Sequence, residues 1–142
     1  MERIDVIAIA PPGRHAARVV LAACRAHATG CFTLCKASDL PSLVSQLEAV
    51  AQRTAQPAGL LLSPGNPGAL DEIPSGILAG LKLVLSASEM PRIGEWADYL
   101  NERELEFSVQ VTSCEDGLVA ASLGAHSIVL KGTESGGLAG SE

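Results

Sequence analysis

Residues 105–140 read LEFSVQVTSCEDGLVAASLGAHSIVLKGTESGGLAG. A β-branched run, Phe107 to Thr112, is followed by a helical run of small residues, Glu115 to Leu123, and then by a second apolar run, Ser127 to Leu130. A strand, a short helix and a strand in so few residues make the βαβ unit of a parallel sheet, whose buried strands read as continuous apolar runs. Whatever follows the second strand lies at its carboxyl end, where α/β folds place their ligands. Lys131 and the segment Gly132 to Gly140, with four glycines, occupy that place. Glycines there let backbone N–H groups come close to an anionic or planar ligand.

Upstream the same alternation holds. Asp5–Ala10 (DVIAIA) is an apolar strand stopped by Pro11-Pro12-Gly13, which cannot continue a ladder. His15–Ala28 reads as a helix with Ala17, Val20, Leu21 and Cys24 on one face, and Cys31–Cys35 as the next strand. Ser38 is the expected N-cap of a helix whose stripe is Leu40, Leu43, Val44, Leu47 and Val50. Gly59–Leu62 is a strand closed by the turn-rich segment 63–68. A weak helical segment at Asp71–Ala79, a strand at Leu81–Leu85 and a helix at Glu89–Arg103, with Pro91 in its first turn, complete the pattern.

Six strands alternating with five helical connections define an α/β fold with a parallel sheet. The two main solutions are an open doubly wound sheet and a closed barrel, and strand order separates them: sequential pairing for the barrel, an order such as 2-1-3-4-5 for the other. A closed (β/α)8 barrel takes about 250 residues, so 142 residues are expected to form a single, incomplete TIM-barrel-like domain, the front part of a longer polypeptide. Its first and last strands would be open edges, which make isolated material dimeric or aggregation-prone unless covered.

Composition narrows the partners. A net charge of −6, with ten scattered Lys and Arg, argues against nucleic acid, which needs a basic face. No basic segment leads into an apolar one at the start and no run is long enough to cross a bilayer, so no membrane partner is expected and the location expected is the cytoplasm. With 3% aromatic residues the core is expected to consist of Leu, Val, Ile and Ala. Cys24, Cys31, Cys35 and Cys114 are spaced too irregularly for a metal site and read as reduced, mostly buried thiols. The acidic pairs Asp71-Glu72 and Glu115-Asp116 read as helix-start residues, because adjacent side chains do not face one another.

The segments Val111-Thr112-Ser113, Gly124-Ala125 and Lys131-Gly132-Thr133-Glu134-Ser135-Gly136-Gly137 resemble the nitronate monooxygenase family and its relatives, the flavin-dependent enoyl-acyl-carrier-protein reductases. That family consists of FMN-binding TIM barrels with a G-x-E-[AS]-G-G-H-x-G loop, and similar domains are embedded in polyketide and polyunsaturated fatty acid synthases. The resemblance continues upstream: Ala10-Pro11-Pro12-Gly13 falls on the family's A-P-M-[AG] segment, whose backbone contacts the flavin. Residues 25–34 resemble its A-G-G-[LI]-G-V-L passage, keeping Gly30 but with His27 and Ala28 in place of the first two glycines. The family's flavin-binding Gln or Lys falls on Lys131 and its cofactor-contacting glycine on Gly136, beside Gly137. Its polar third-strand residue falls on Leu61, and its histidine base on Leu138.

The resemblance therefore implies FMN held by Pro11, Gly13, Lys131, Gly136 and Gly137, a small-molecule or acyl-carrier-protein-linked substrate, and the remaining domains of a larger polypeptide as partners. It assigns no catalytic residue. FMN is expected to bind weakly or not at all, because the usual phosphate site lies after strands seven and eight. Two alternatives stand beside an oxidoreductase with impaired catalysis: a non-catalytic structural or docking domain of a synthase, and an unrelated open α/β binding module.

Overall fold

The computed structural model describes residues 6–62, 65, 67–87 and 92–131. Six strands, β1 (Ile7–Ile9), β2 (Thr29–Leu34), β3 (Gly59–Leu62), β4 (Lys82–Ser86), β5 (Phe107–Val111) and β6 (Ser127–Leu130), form one sheet in the order β1-β2-β3-β4-β5-β6. Every neighbouring pair is parallel. The sequential order is that of a barrel wall rather than of a sheet reversed at a switch point, and the sheet curls into a half-barrel with helices on its outer side. The helices are α1 (Ala16–Arg25), α2 (Leu40–Ala51), the single turn α3 (Ser75–Leu78), α4 (Ile93–Glu102) and α5 (Cys114–Ser122).

The period-2 geometry of a strand sends alternate residues to opposite faces. On the helix-bearing face the register aligns Phe32, Leu60, Leu83 and Phe107 in one row and Leu34, Leu62, Leu85, Val109 and Ile128 in the next. Apart from Ile128 these residues are buried, against Val20 and Cys24 of α1, Leu43 and Leu47 of α2 and Trp96 and Leu100 of α4. The core is therefore leucine-rich but not purely aliphatic: three of the four aromatic residues, Phe32, Trp96 and Phe107, are buried in it. A large flat ring fills the space between a sheet and a helix that several alanines would leave open.

The concave face differs from the doubly apolar strand that the sequence suggested. Its register rows are Cys31–Gly59–Lys82, Thr33–Leu61–Val84–Ser108–Ser127 and Ser86–Gln110–Val129. Polar residues thus hold many of the inward positions, where a closed barrel packs bulky branched side chains.

Three helices end alike. After α1, α4 and α5 the chain forms the paired 6→1 and 5→2 hydrogen bonds of a Schellman motif: Ala28 N–H to Ala23 O (3.0 Å) with His27 N–H to Cys24 O (3.1 Å), Leu105 to Leu100 (3.0 Å) with Glu104 to Asn101 (3.1 Å), and Ala125 to Ala120 with Gly124 to Ala121 (both 3.2 Å). The residue that reverses the chain has positive φ each time, 61° at His27, 54° at Glu104 and 85° at Gly124, and a strand begins within three residues. This motif ends α1 at Arg25, short of Ala28, and lets β2 start at Thr29.

Other boundaries shift for local reasons. Residues 37–39 form a 3-10 turn that includes Ser38, and α2 is entered through Asp39 with no side-chain cap. Asp71 lies in a second 3-10 turn, Pro67–Glu72, rather than at the start of a helix. There it accepts a 2.6 Å hydrogen bond from the Tyr99 hydroxyl and faces Arg103 at 3.4 Å, while the Arg103 guanidinium stacks on the Tyr99 ring. Glu115 and Asp116 do lie in the first turn of α5, where the Ser113 hydroxyl caps the Asp116 N–H at 3.1 Å. The expected helix start at Pro91 lies outside the described residues.

Candidate functional site

Sequential parallel strands bring all six carboxyl ends to one rim of the half-barrel. At β1 the ladder is fastened by Ala10 N–H to Cys31 O (2.8 Å), and the Thr33 hydroxyl donates to Ala10 O (2.9 Å). These bonds hold the exposed turn Pro11-Pro12-Gly13 over the end of the strand. Gly13 has φ +144°, a conformation that L side chains rarely adopt, and no heavy atom lies within 4 Å of where a Cβ would sit. Conformation, not crowding, requires glycine there, and the backbone is left open to an approaching group. Beside it a cleft of about 370 Å³ is lined by Gly13, Arg14, Thr33, Ser38, Ser42 and Gln46.

Lys131 stands at the other end of the rim. Its N–H donates to Val111 O at 2.9 Å, continuing the β5–β6 ladder by one residue, and its side chain is half-buried. Pro11 and Gly13 therefore share an edge with Lys131 but follow β1 and β6, the first and last strands of the sheet. Gly136, Gly137 and Leu138 lie outside the described residues. Leu61 is on the concave face, half-buried and in register between Thr33 and Val84. Ser86 and Gln110, buried and paired in register on that same face near the rim, are polar positions that the reading of β4 and β5 as simple apolar runs passed over. The alternation in Phe107-Ser108-Val109-Gln110-Val111 was the signal for Gln110.

The amino end of the concave face holds a second polar group. Lys82 Nζ donates to the Thr29 hydroxyl (3.2 Å), the Ser108 and Ser127 hydroxyls are 2.6 Å apart, and His126 Nδ1 is 3.9 Å from Glu106 Oε1. These residues line a cleft of about 310 Å³. Cys31 opens onto it, but burial, only partly offset by the Lys82 charge, pushes its thiol up to about 12 and keeps it protonated. Of the four free cysteines, Cys24 and Cys31 are buried and Cys35 and Cys114 are exposed, so the thiols are not mostly buried. A larger cavity, about 600 Å³, lies among the 3-10 turn at 67–72, α3 and the residues that follow α4, lined by Leu70, Ile73, Pro74, Leu78, Arg103 and Leu105.

Among the described residues no three His, Cys, Asp or Glu side chains group as a metal site. No helix among them is long and apolar enough to cross a membrane. No family model matches the chain, and neither a curated protein nor a solved structure matches it.

Proposed function

We propose that this half-barrel is a flavin-binding module of the nitronate monooxygenase and enoyl-reductase type, of the kind carried by polyketide or fatty acid synthases, which has lost the proton-abstracting step. The observation that supports this reading is the sequential parallel sheet, which sets Pro11-Pro12-Gly13 and Lys131 on one carboxyl rim. The residues described there suit FMN: Gly13 offers unobstructed backbone, and Lys131 offers a cation for the electron-rich N1–C2=O side of the ring. Left-handed backbone at His27 and the close approach at Gly30, where a Cβ would lie 2.5 Å from Val20 O, also suit a passage that is glycine-rich in that family. FMN, when bound, supplies a hydride- or electron-accepting N5. Gly136 and Gly137 would complete the cradle with their backbone amides.

Leu138 stands where the family has its base, and a leucine can neither accept a proton nor polarise a substrate. A positioned base typically contributes about 10²–10⁴-fold in rate. A structural or docking role in a synthase is the second reading, favoured by Leu138 together with Leu61, which replaces the polar flavin contact on the third strand.

The test is quenching of FMN fluorescence on titration with the chain. Weak quenching that Lys131→Ala and Gly13→Val both reduce several-fold is the result that supports a flavin site; no quenching at any protein concentration favours the structural or docking reading, and quenching that neither variant changes overturns the placement of the site on this rim. Wild type is expected not to oxidise propionate 3-nitronate; turnover by wild type would show that the base lies elsewhere.

A further inference from the structure

We infer that the two edges of the half-barrel are built for one another, so that the β6–α5 edge of one copy docks head-to-tail on the β1–α1 edge of a second copy. The large apolar side chains that are exposed among the described residues are confined to these edges. At one end they are Val6 (57% exposed), Ile9 and Val19; at the other they are Leu118, Val119, Ile128 and Leu130 (77%). The strands and helices between them expose none. Single exposed apolar residues are ordinary, but a set gathered on two sheet ends marks surfaces that another element covers.

Charge gives the occupant. Residues 6–25, which include β1 and α1, carry Arg14, Arg18 and Arg25 and no carboxylate, whereas residues 105–131 carry Glu106, Glu115 and Asp116 against Lys131 alone. Arg14, Arg18 and Arg25 are exposed, and none has a carboxylate within 4 Å among the described residues. A basic apolar edge and an acidic apolar edge on the same molecule attract each other and repel themselves, which selects the head-to-tail contact over a two-fold one joining like edges.

The strand geometry fits. Ile128 and Leu130 are in register with Val109 and Val111 on the helix-bearing face, and Val6, which alternates with Ala8 and the buried Ala10, lies on that same face. Parallel pairing of β6 with β1 of the next copy continues the sheet, with α5 and α1 flanking the joint. It also sets Lys131 beside Pro11-Pro12-Gly13 of the neighbour, at adjacent strand ends. The two groups of rim residues that one copy separates by the width of its sheet then meet. Because the two surfaces differ, the contact closes into a ring or grows as a chain. Only the use of the joined rim as a ligand site rests on the flavin reading; the association itself does not.

Sedimentation velocity of the 142-residue chain without flavin tests the docking, with Leu130→Asp breaking one edge and Val19→Asp the other. Both positions are exposed, so the variants are expected to keep the wild-type circular dichroism and melting temperature. Wild type should associate, less so in high salt. Each variant alone should associate at least about tenfold more weakly, and a 1:1 mixture should form a dimer and nothing larger, since one intact edge of each kind remains. Three results would overturn the inference: a monomeric wild type at its highest soluble concentration, variants that associate as wild type does, or a mixture that stays monomeric. Flavin quenching, measured separately, then reports on the rim alone: association without quenching leaves the docking intact and fails only the flavin reading.

Discussion

β5 and β6 are neighbours of similar composition, FSVQV and SIVL, joined by one helix, and yet the first is buried almost throughout while three of the four residues of the second are exposed. The same contrast separates β2 from β1. An apolar run is thus a statement of what a strand needs, and the neighbours decide whether the need is met. In the centre of the sheet two flanking strands and the helices α1, α2 and α4 meet it. At the two ends it is left open, and among the described residues the exposed large apolar side chains gather there.

The largest contrast is chemical. Cys31, on central β2, is expected to stay unmodified by a thiol reagent at mildly alkaline pH, whereas Cys35 and Cys114 label promptly; mass spectrometry of the labelled peptides checks it. The raised thiol also has a thermodynamic sign. The folded state holds the Cys31 proton up to about 12, against an ordinary 9.0, so the unfolded chain releases it first and stability should fall as pH rises through that window. Tyr99, pushed up to about 12 by burial and by its hydrogen bond to Asp71, acts in the same direction. Flat stability from pH 9 upward would show that Cys31 is not enclosed.

Packing gives the next largest effect. Phe107→Ala, at the start of β5, should cost about 3–5 kcal/mol, because a buried ring leaves a cavity. Ile128→Ala on β6 should cost well under half of that in dilute monomer, since its side chain is 43% exposed. Urea midpoints at equal slope measure both. Equal losses would mean that the β6 edge is as well covered as the centre.

The smallest contrast is between two glycines. At Gly30 a methyl group would meet Val20 O at 2.5 Å, backbone against backbone, so Gly30→Ala should cost about 1–3 kcal/mol. At Gly117, in α5, the nearest atom to an added Cβ is Ile128 Cδ1 at 3.9 Å, so Gly117→Ala should stabilise by about 0.5–1 kcal/mol through helix propensity. A loss at Gly117 would place α5 tighter against β6 than the structure does.

Several elements were legible before any coordinates because they depend on local chemistry. β3 and β6 fall where their apolar runs fall, at Gly59–Leu62 and Ser127–Leu130. The stripe of α2 is buried at Leu40, Leu43, Leu47 and Val50, where its spacing put it. Helix ends were less legible: His27 and Glu104 occupy left-handed positions normally marked by glycine, so the stop signal was absent from the residue type. Asp71 was misplaced because its partners, Tyr99 and Arg103, are 28 and 32 residues away. Among the candidate site residues, the turn Pro11–Gly13 and Lys131 could be placed at strand ends from pattern alone. Gln110 was signalled by the alternation in β5, whereas Ser86 became visible only once the register showed which side of β4 faces inward.

Sequence alone determined the alternation of strands and helices, hence the parallel class of the sheet, because period and punctuation are properties of neighbouring residues. The sequential order expected of a TIM-barrel-like fold is the order the strands adopt, whereas tertiary structure alone decided that the concave face is largely polar and the outer face apolar, and that Val19 and Leu130 remain exposed while equally apolar residues such as Leu60 and Val109 are enclosed. Hydrophobicity is carried by a side chain, but burial is a relation between elements far apart in the chain, and no local pattern contains it.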